Sequence, residues 1–265
     1  MALIEIESLT KDYGDGQGIF DINLKIKRGQ SFGFVGTNGA GKTTTIRHLM
    51  GFLTPSSGTA KIEGLNCRSQ SAEIMKQVGY IPGEIAFPDA KTGMDFLKGQ
   101  ADILGLKDFT YMNSLIKRLQ LDPSANLKRM SKGMKQKTAI VAALMAEPEI
   151  LIFDEPTTGL NPLMRQQFVE IMEEERAKGR TIFMSSHMFE EVEELCDEVA
   201  LIKEGHLIDV KKTSDIKYSD EKYYKLEFVS SGDYKDFLKE GFTIKEERAK
   251  QNQVIILLKD KERNK

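Results

Sequence analysis

The chain has 265 residues, 40% of them hydrophobic and 29% charged, which excludes a disordered or fibrous polymer and leaves room for a substantial core. Lysine and arginine number 38 against 40 aspartates and glutamates, a net charge of -2, so no overall basic field exists to gather nucleic acid. The longest apolar run, Ala139 to Ala146, falls far short of the ~20 residues that cross a bilayer. Met1 to Glu5 shows no basic stretch leading into an apolar one, so no secretion signal is expected. Cys67 and Cys196 fit no metal spacing and are expected as reduced thiols in a cytoplasmic protein.

In chain order, alternation predicts strands around Leu3–Ile6, Ile22–Ile26 and Phe32–Val35, the first two joined through the glycine-rich turn Gly14–Gly18. A helix is expected from Gly41 to about Gly51, then a Pro/Ser/Gly turn and a short strand over residues 55–64. Between Thr92 and Leu121 the apolar spacing becomes helical (Phe96, Leu97, Ile103, Leu104, then Met112, Leu115, Ile116, Leu119), which reads as an inserted helical block. Further helices are expected over Ser131–Ala146, Pro162–Ala177 and His187–Leu195, with strands at Ile150–Phe153, Thr181–Met184 and Val199–Ile202. The acidic run Glu190–Glu194 is expected to be a solvated helix face. Alternating strand and helix argue for an α/β fold with a largely parallel central sheet. The tail reads strand (Tyr223–Val229), helix (Asp233–Lys239), strand (Phe242–Glu247) and strand (Gln253–Lys259), a small α+β appendage.

The segment Gly36-Thr37-Asn38-Gly39-Ala40-Gly41-Lys42-Thr43-Thr44 fits G-x-x-x-x-G-K-[ST]. Its glycines let backbone amides surround phosphate oxygens, and the helix that follows turns its positive end to the same anion. Lys42 reaches the outer phosphates and Thr43 offers a hydroxyl to magnesium. The apolar strand Ile150–Phe153 then delivers Asp154 and Glu155 at its C-terminal end, where α/β proteins bind ligands. Asp154 suits a metal; Glu155 suits an attacking water.

With Arg129-Met130-Ser131-Lys132-Gly133-Met134-Lys135-Gln136 added, the chain resembles the ATP-binding subunits of ABC transporters over about residues 1–211. Ser131, Gly133, Lys135, Gln136 and Lys137 match that family's signature; Lys132 and Met134 depart from it. The form of this segment resembles the drug, bacteriocin and small-ion exporters whose cassette and membrane subunits are separate chains. The resemblance implies a P-loop cassette over residues 1–212, with a helical subdomain over about 84–146 and an appendage over 213–265. It implies ATP and Mg2+ as cofactors. Lys42, Glu155 and His187 would be the catalytic residues, and Thr43 and Asp154 the metal ligands. The nucleotide would be held by Gly36 to Thr44, by Tyr13 stacked on adenine, and by Ser131 and Gly133 of an opposed cassette.

That arrangement implies a homodimer or heterodimer of cassettes, a separate transmembrane permease, no nucleic acid, and a place on the inner face of the cell membrane. The groove receiving a permease helix would lie over Gly83–Gly105, with Phe87 and Met94 as exposed candidates. Gly159-Leu160-Asn161-Pro162 resembles the loop linking two nucleotide sites, with Asn161 where aspartate is usual. Gly83 stands where glutamine is usual, and Glu84 beside it is a possible substitute. Two other readings stay open. A soluble cassette of DNA repair or translation is disfavoured by the single phosphate loop, the near-neutral charge and the lack of sustained heptads. A non-hydrolysing clamp is suggested by the departures at Lys132, Met134, Asn161 and Gly83.

Overall fold

The computed structural model describes residues 2–217 and 221–259, in two compact units over 1–213 and 214–265. The first unit opens with β1 (Ala2–Gly14) and β2 (Gln17–Lys27), an antiparallel hairpin closed by the pair Gly14↔Gln17. The two loop residues, Asp15 and Gly16, both have positive φ (53° and 73°), the conformation an Asp-Gly turn supplies when tight hairpins twist correctly. Then follow β3 (Ser31–Val35), α1 (Lys42–Leu49), β4 (Ser57–Ile62), β5 (Leu65–Asn66), α2 (Ser71–Ile74) and β6 (Val78–Ile81). The helical block comprises α3 (Gly93–Leu104), α4 (Thr110–Arg118) and α5 (Lys132–Leu144). The unit closes with β7 (Ile150–Asp154), α6 (Pro162–Ala177), β8 (Thr181–Ser186), α7 (Phe189–Leu195), β9 (Glu198–Lys203) and β10 (His206–Lys212).

Six strands form one sheet in the order β10-β9-β3-β8-β7-β6, parallel except for the antiparallel edge β10. Its inner strands β3, β7 and β8 are buried at every residue, which explains their continuous apolar runs: a parallel sheet is covered on both faces. The first two expected strands, around Leu3–Ile6 and Ile22–Ile26, do not join it. β1 and β2 pair with β4 and β5 in a separate antiparallel sheet, order β2-β1-β4-β5. Its inward residues Ile4, Ile6, Ile22, Ile26 and Ile62 share one core with Phe32, Phe34 and Ile152 of the parallel sheet.

Helix ends follow local chemistry. Thr92 and Asp95 form a reciprocal capping box at the start of α3, Ser131 caps α5 through the Met134 N–H, and Asn161 caps α6 ahead of Pro162. Among the described residues no helix is long and apolar enough to cross a membrane.

Helix α8 (Thr213–Lys217) runs across the boundary between the units. The second unit holds β11 (Glu221–Glu227), α9 (Ser231–Phe237), β12 (Thr243–Arg248) and β13 (Gln253–Lys259), as an antiparallel sheet in the order β11-β13-β12. Tyr234, Val254 and Ile256 form its small core.

Candidate functional site

Register places the chemistry. Val35 aligns with Ser186, and Asp154 with Ser185, so the C-terminal ends of β3, β7 and β8 reach the same edge. The loop after β3 and the carboxylates after β7 therefore meet there. A cavity of about 600 Å³ opens at this edge, lined by Tyr13, Asn38, Gly39, Gly41–Thr44 and Glu155. Gly16, Gln17, Gly18 and Glu204 complete its wall, and none of these was among the expected site residues. Gly36, Thr37 and Ala40 form the body of the loop beneath.

The loop requires its glycines. Gly41 has φ 110°, and a Cβ there would lie 2.6 Å from Ile19 Cγ2. A Cβ on Gly36 would lie 2.4 Å from the Ile202 carbonyl oxygen. With Gly41 at its N-cap, α1 begins without a side-chain cap and without an acidic residue in its first turn. Its leading N–H groups therefore face the cavity available to an anion.

Lys42 is 5% exposed. Its Nζ donates to the Gly36 oxygen (2.7 Å) and the Thr37 oxygen (3.1 Å), and lies 3.2 Å from Glu155 Oε1. The other Glu155 oxygen, Oε2, is 2.8 Å from His187 Nδ1. Glu155 itself has φ 50°, a left-handed conformation uncommon outside glycine, held because its N–H is bonded to both the backbone oxygen (3.2 Å) and the Oγ (3.1 Å) of Ser185. Burial raises the Glu155 pKa, but hydrogen bonds from His187 and Lys42 outweigh it and hold the carboxyl below its ordinary range.

Asp154 is 1% exposed. Its Oδ1 accepts from Ser185 Oγ at 2.6 Å, whereas Oδ2 is buried with no partner. An orphaned carboxylate oxygen next to a loop carrying a threonine hydroxyl suits a hard divalent cation. Among the described residues no cluster of three His, Cys, Asp or Glu side chains that could hold a metal ion forms. Gly83 lies directly against this oxygen: a Cβ there would sit 2.7 Å from Asp154 Oδ2. Glu84 is exposed, and it is the glycine that lies against Asp154.

Tyr13 is 55% exposed at the outer wall, with Lys11 Nζ 5.4 Å from its ring centre. Ser131 and Gly133 are not in this cavity. They begin α5, where a Cβ on Gly133 would lie 2.7 Å from the Gly159 oxygen in the loop after Glu155. Phe87 and Met94 are half-buried and not exposed as expected; Phe87 packs on Phe96 with ring centres 4.7 Å apart. Phe87 nevertheless lines a second groove of about 450 Å³ with Tyr80, Ile85, Phe96, Leu104 and Ala142. The run Glu190–Glu194 also departs from expectation, because Glu191 turns inward with only 12% of its side chain exposed.

A sheet edge that joins a phosphate loop, a buried aspartate and a glutamate–histidine pair defines a P-loop nucleotide hydrolase. The ABC transporter family model matches residues 19–158, more than half of the chain, and the chain belongs to that family. It is 33% identical over 259 residues to the bacitracin transport ATP-binding protein BcrA of Bacillus licheniformis, covering 96% of this chain and 84% of that protein. It is 33% identical over 219 residues to the linearmycin resistance ATP-binding protein LnrL of Bacillus subtilis, covering 81% and 70%. A solved ATP-binding subunit of an ABC transporter superposes with a TM-score of 0.74 at 32% identity, over 81% of this chain and 92% of that one. The chain is thus an ATP-binding subunit of an ABC transporter, an ATPase of the family that couples hydrolysis to transport.

Proposed function

We propose that this chain drives an exporter through a separate permease, and that its residues divide the work as follows. The loop Gly36–Thr44 holds the phosphates of ATP, Lys42 exchanges its carbonyl partners for the outer phosphate oxygens, and Tyr13 stacks on the adenine. Thr43 and Asp154 would hold Mg2+, which would supply neutralisation of the phosphate charge. Glu155 orients the attacking water. Its lowered pKa keeps it ionised at neutral pH, so it acts mainly as a fixed hydrogen-bond acceptor. His187 holds Glu155 and faces the transferred phosphate. The observation that carries this reading is Glu155 held at the cavity between Lys42 and His187.

Residues 1–212 act as the cassette, with about 84–146 as its helical subdomain, and 213–265 as an appendage that steadies the assembly. Ser131 and Gly133 lie outside the Lys42 cavity, which supports their use on a nucleotide bound by a second cassette, identical or different. The 450 Å³ groove would receive a short permease helix and so hold the cassette at the inner face of the membrane; its apolar lining supports this use. Export is favoured by relatives named for linearmycin resistance and for Nod factor export.

Light scattering and phosphate release test the reading. The Glu155→Gln protein should bind ATP·Mg, form a stable dimer and lose turnover, while the unmodified chain turns over. An unmodified chain that binds ATP without dimerising or hydrolysing it contradicts the reading.

A further inference from the structure

Glu191 stands on α7, one turn beyond His187. Its Oε1 accepts from Thr157 Oγ1 at 2.6 Å, and its Oε2 accepts from Ser186 Oγ at 2.7 Å. Arg165 Nε lies 3.9 Å from Oε1. Thr157 is two residues past Glu155, and Ser186 directly precedes His187. Ser186 Oγ in turn accepts the Met188 N–H at 2.9 Å, which closes the turn that carries His187. A single carboxylate therefore ties the segment carrying Glu155 to the segment carrying His187.

The chemistry of the pair explains the residue type. Both partners are hydroxyls able to donate, and an acceptor-only carboxylate satisfies both at once. Bonds of 2.6–2.7 Å lie in the charge-assisted range. From the other side, Gln136 Nε2 of α5 donates to the Pro156 oxygen at 2.6 Å. The segment after Glu155 is thus held between the helix that begins at Ser131 and the helix that follows His187.

We propose that Glu191 is a positioning residue for hydrolysis, fixing the spacing of Glu155 and His187 without touching nucleotide. The proposal rests on the roles given to those two residues above. It is tested by NMR of the full chain labelled at histidine, together with steady-state phosphate release. The chain has three histidines, so His48 and His206 serve as internal controls.

Glu191→Ala should move the His187 ring signal and leave the other two in place. It should lower kcat roughly tenfold while KM for ATP stays within about twofold, as expected for a displaced catalytic geometry with intact binding. Glu191→Gln, able to accept from one hydroxyl and donate to the other, should restore the His187 signal and about half of kcat. Thr157→Val cuts one bond from the opposite end; it should shift the His187 signal the same way and add nothing to Glu191→Ala. An unmoved His187 signal, a Gln variant as impaired as Ala, or an equal disturbance of all three histidines overturns the proposal. Absence of turnover in the unmodified chain contradicts the hydrolytic reading instead, and the His187 signal still decides the role of Glu191.

Discussion

The helix starts at Gly41 and at Ser131 look alike in sequence, each a short stretch of glycine, lysine and hydroxyl residues, yet the chain finishes them differently. At Gly41 no side chain caps α1, and the free N–H groups open onto a cavity with Lys42, Thr43 and Glu155 on its walls. At Ser131 the hydroxyl caps α5 by accepting the Met134 N–H at 3.2 Å, and Gly133 rests against the chain's own Gly159. The first is a completed phosphate cradle. The second is an exposed helix start lying against the segment that follows Glu155. On the proposed function, one chain would carry two halves of a site that it does not itself bring together.

The comparison breaks most sharply at the first helix. Lys42→Ala removes the buried cation and should weaken ATP binding about a hundredfold, measured by calorimetry. Glu155→Gln should lower turnover by about two to three orders of magnitude with ATP affinity kept, because only the water's acceptor is lost. At the second helix, Ser131→Arg should abolish turnover, leave ATP affinity within about twofold and cost about 1 kcal/mol of stability as the cap is lost. If Ser131→Arg weakened ATP binding as strongly as Lys42→Ala, the two starts would belong to one site. Tyr13→Ala should be milder, roughly fivefold in ATP affinity, since an exposed stacking contact is removed.

The smallest effect concerns pH. Burial pushes the Cys67 thiol up to about 12 from its ordinary 9.0, and burial raises Cys196 as well. The unfolded chain therefore releases these protons first as pH rises. The Cys67 contribution is complete below pH 9.0 and is lost between there and about 12, and that of Cys196 falls in the same direction. Urea midpoints should fall as pH rises from 9 to 11, less steeply in a Cys67→Ala variant. Neither thiol should react with iodoacetamide in the folded chain at pH 8.

Much of this was legible in the sequence. Gly36–Thr44 is contiguous, and its loop function depends on backbone geometry that glycine positions announce. Asp154 and Glu155 were legible because a buried strand must end where the parallel sheet exposes its carboxyl edge. The helical block and the βαββ order of the tail followed from periodicity alone. Glu204 was not legible: it reaches the cavity because β9 pairs with β3 and Gly205 donates its N–H to the Ala40 oxygen at 3.0 Å. Glu191 looked like one more solvated glutamate, since spacing along α7 says nothing of the Thr157 hydroxyl passing over it. The separate β2-β1-β4-β5 sheet was also hidden, because alternation marks a strand and not its partner.

The central claim is that Lys42 of one cassette works with Ser131 of another, which for a homodimer means two copies of this chain. Its most direct test mixes two inactive proteins, Lys42→Ala and Ser131→Arg, and measures phosphate release. Mixed dimers hold one doubly impaired site and one site with both halves intact, so activity should reappear on mixing and rise with the fraction of mixed dimers. A mixture that stays as inactive as its components would contradict the claim.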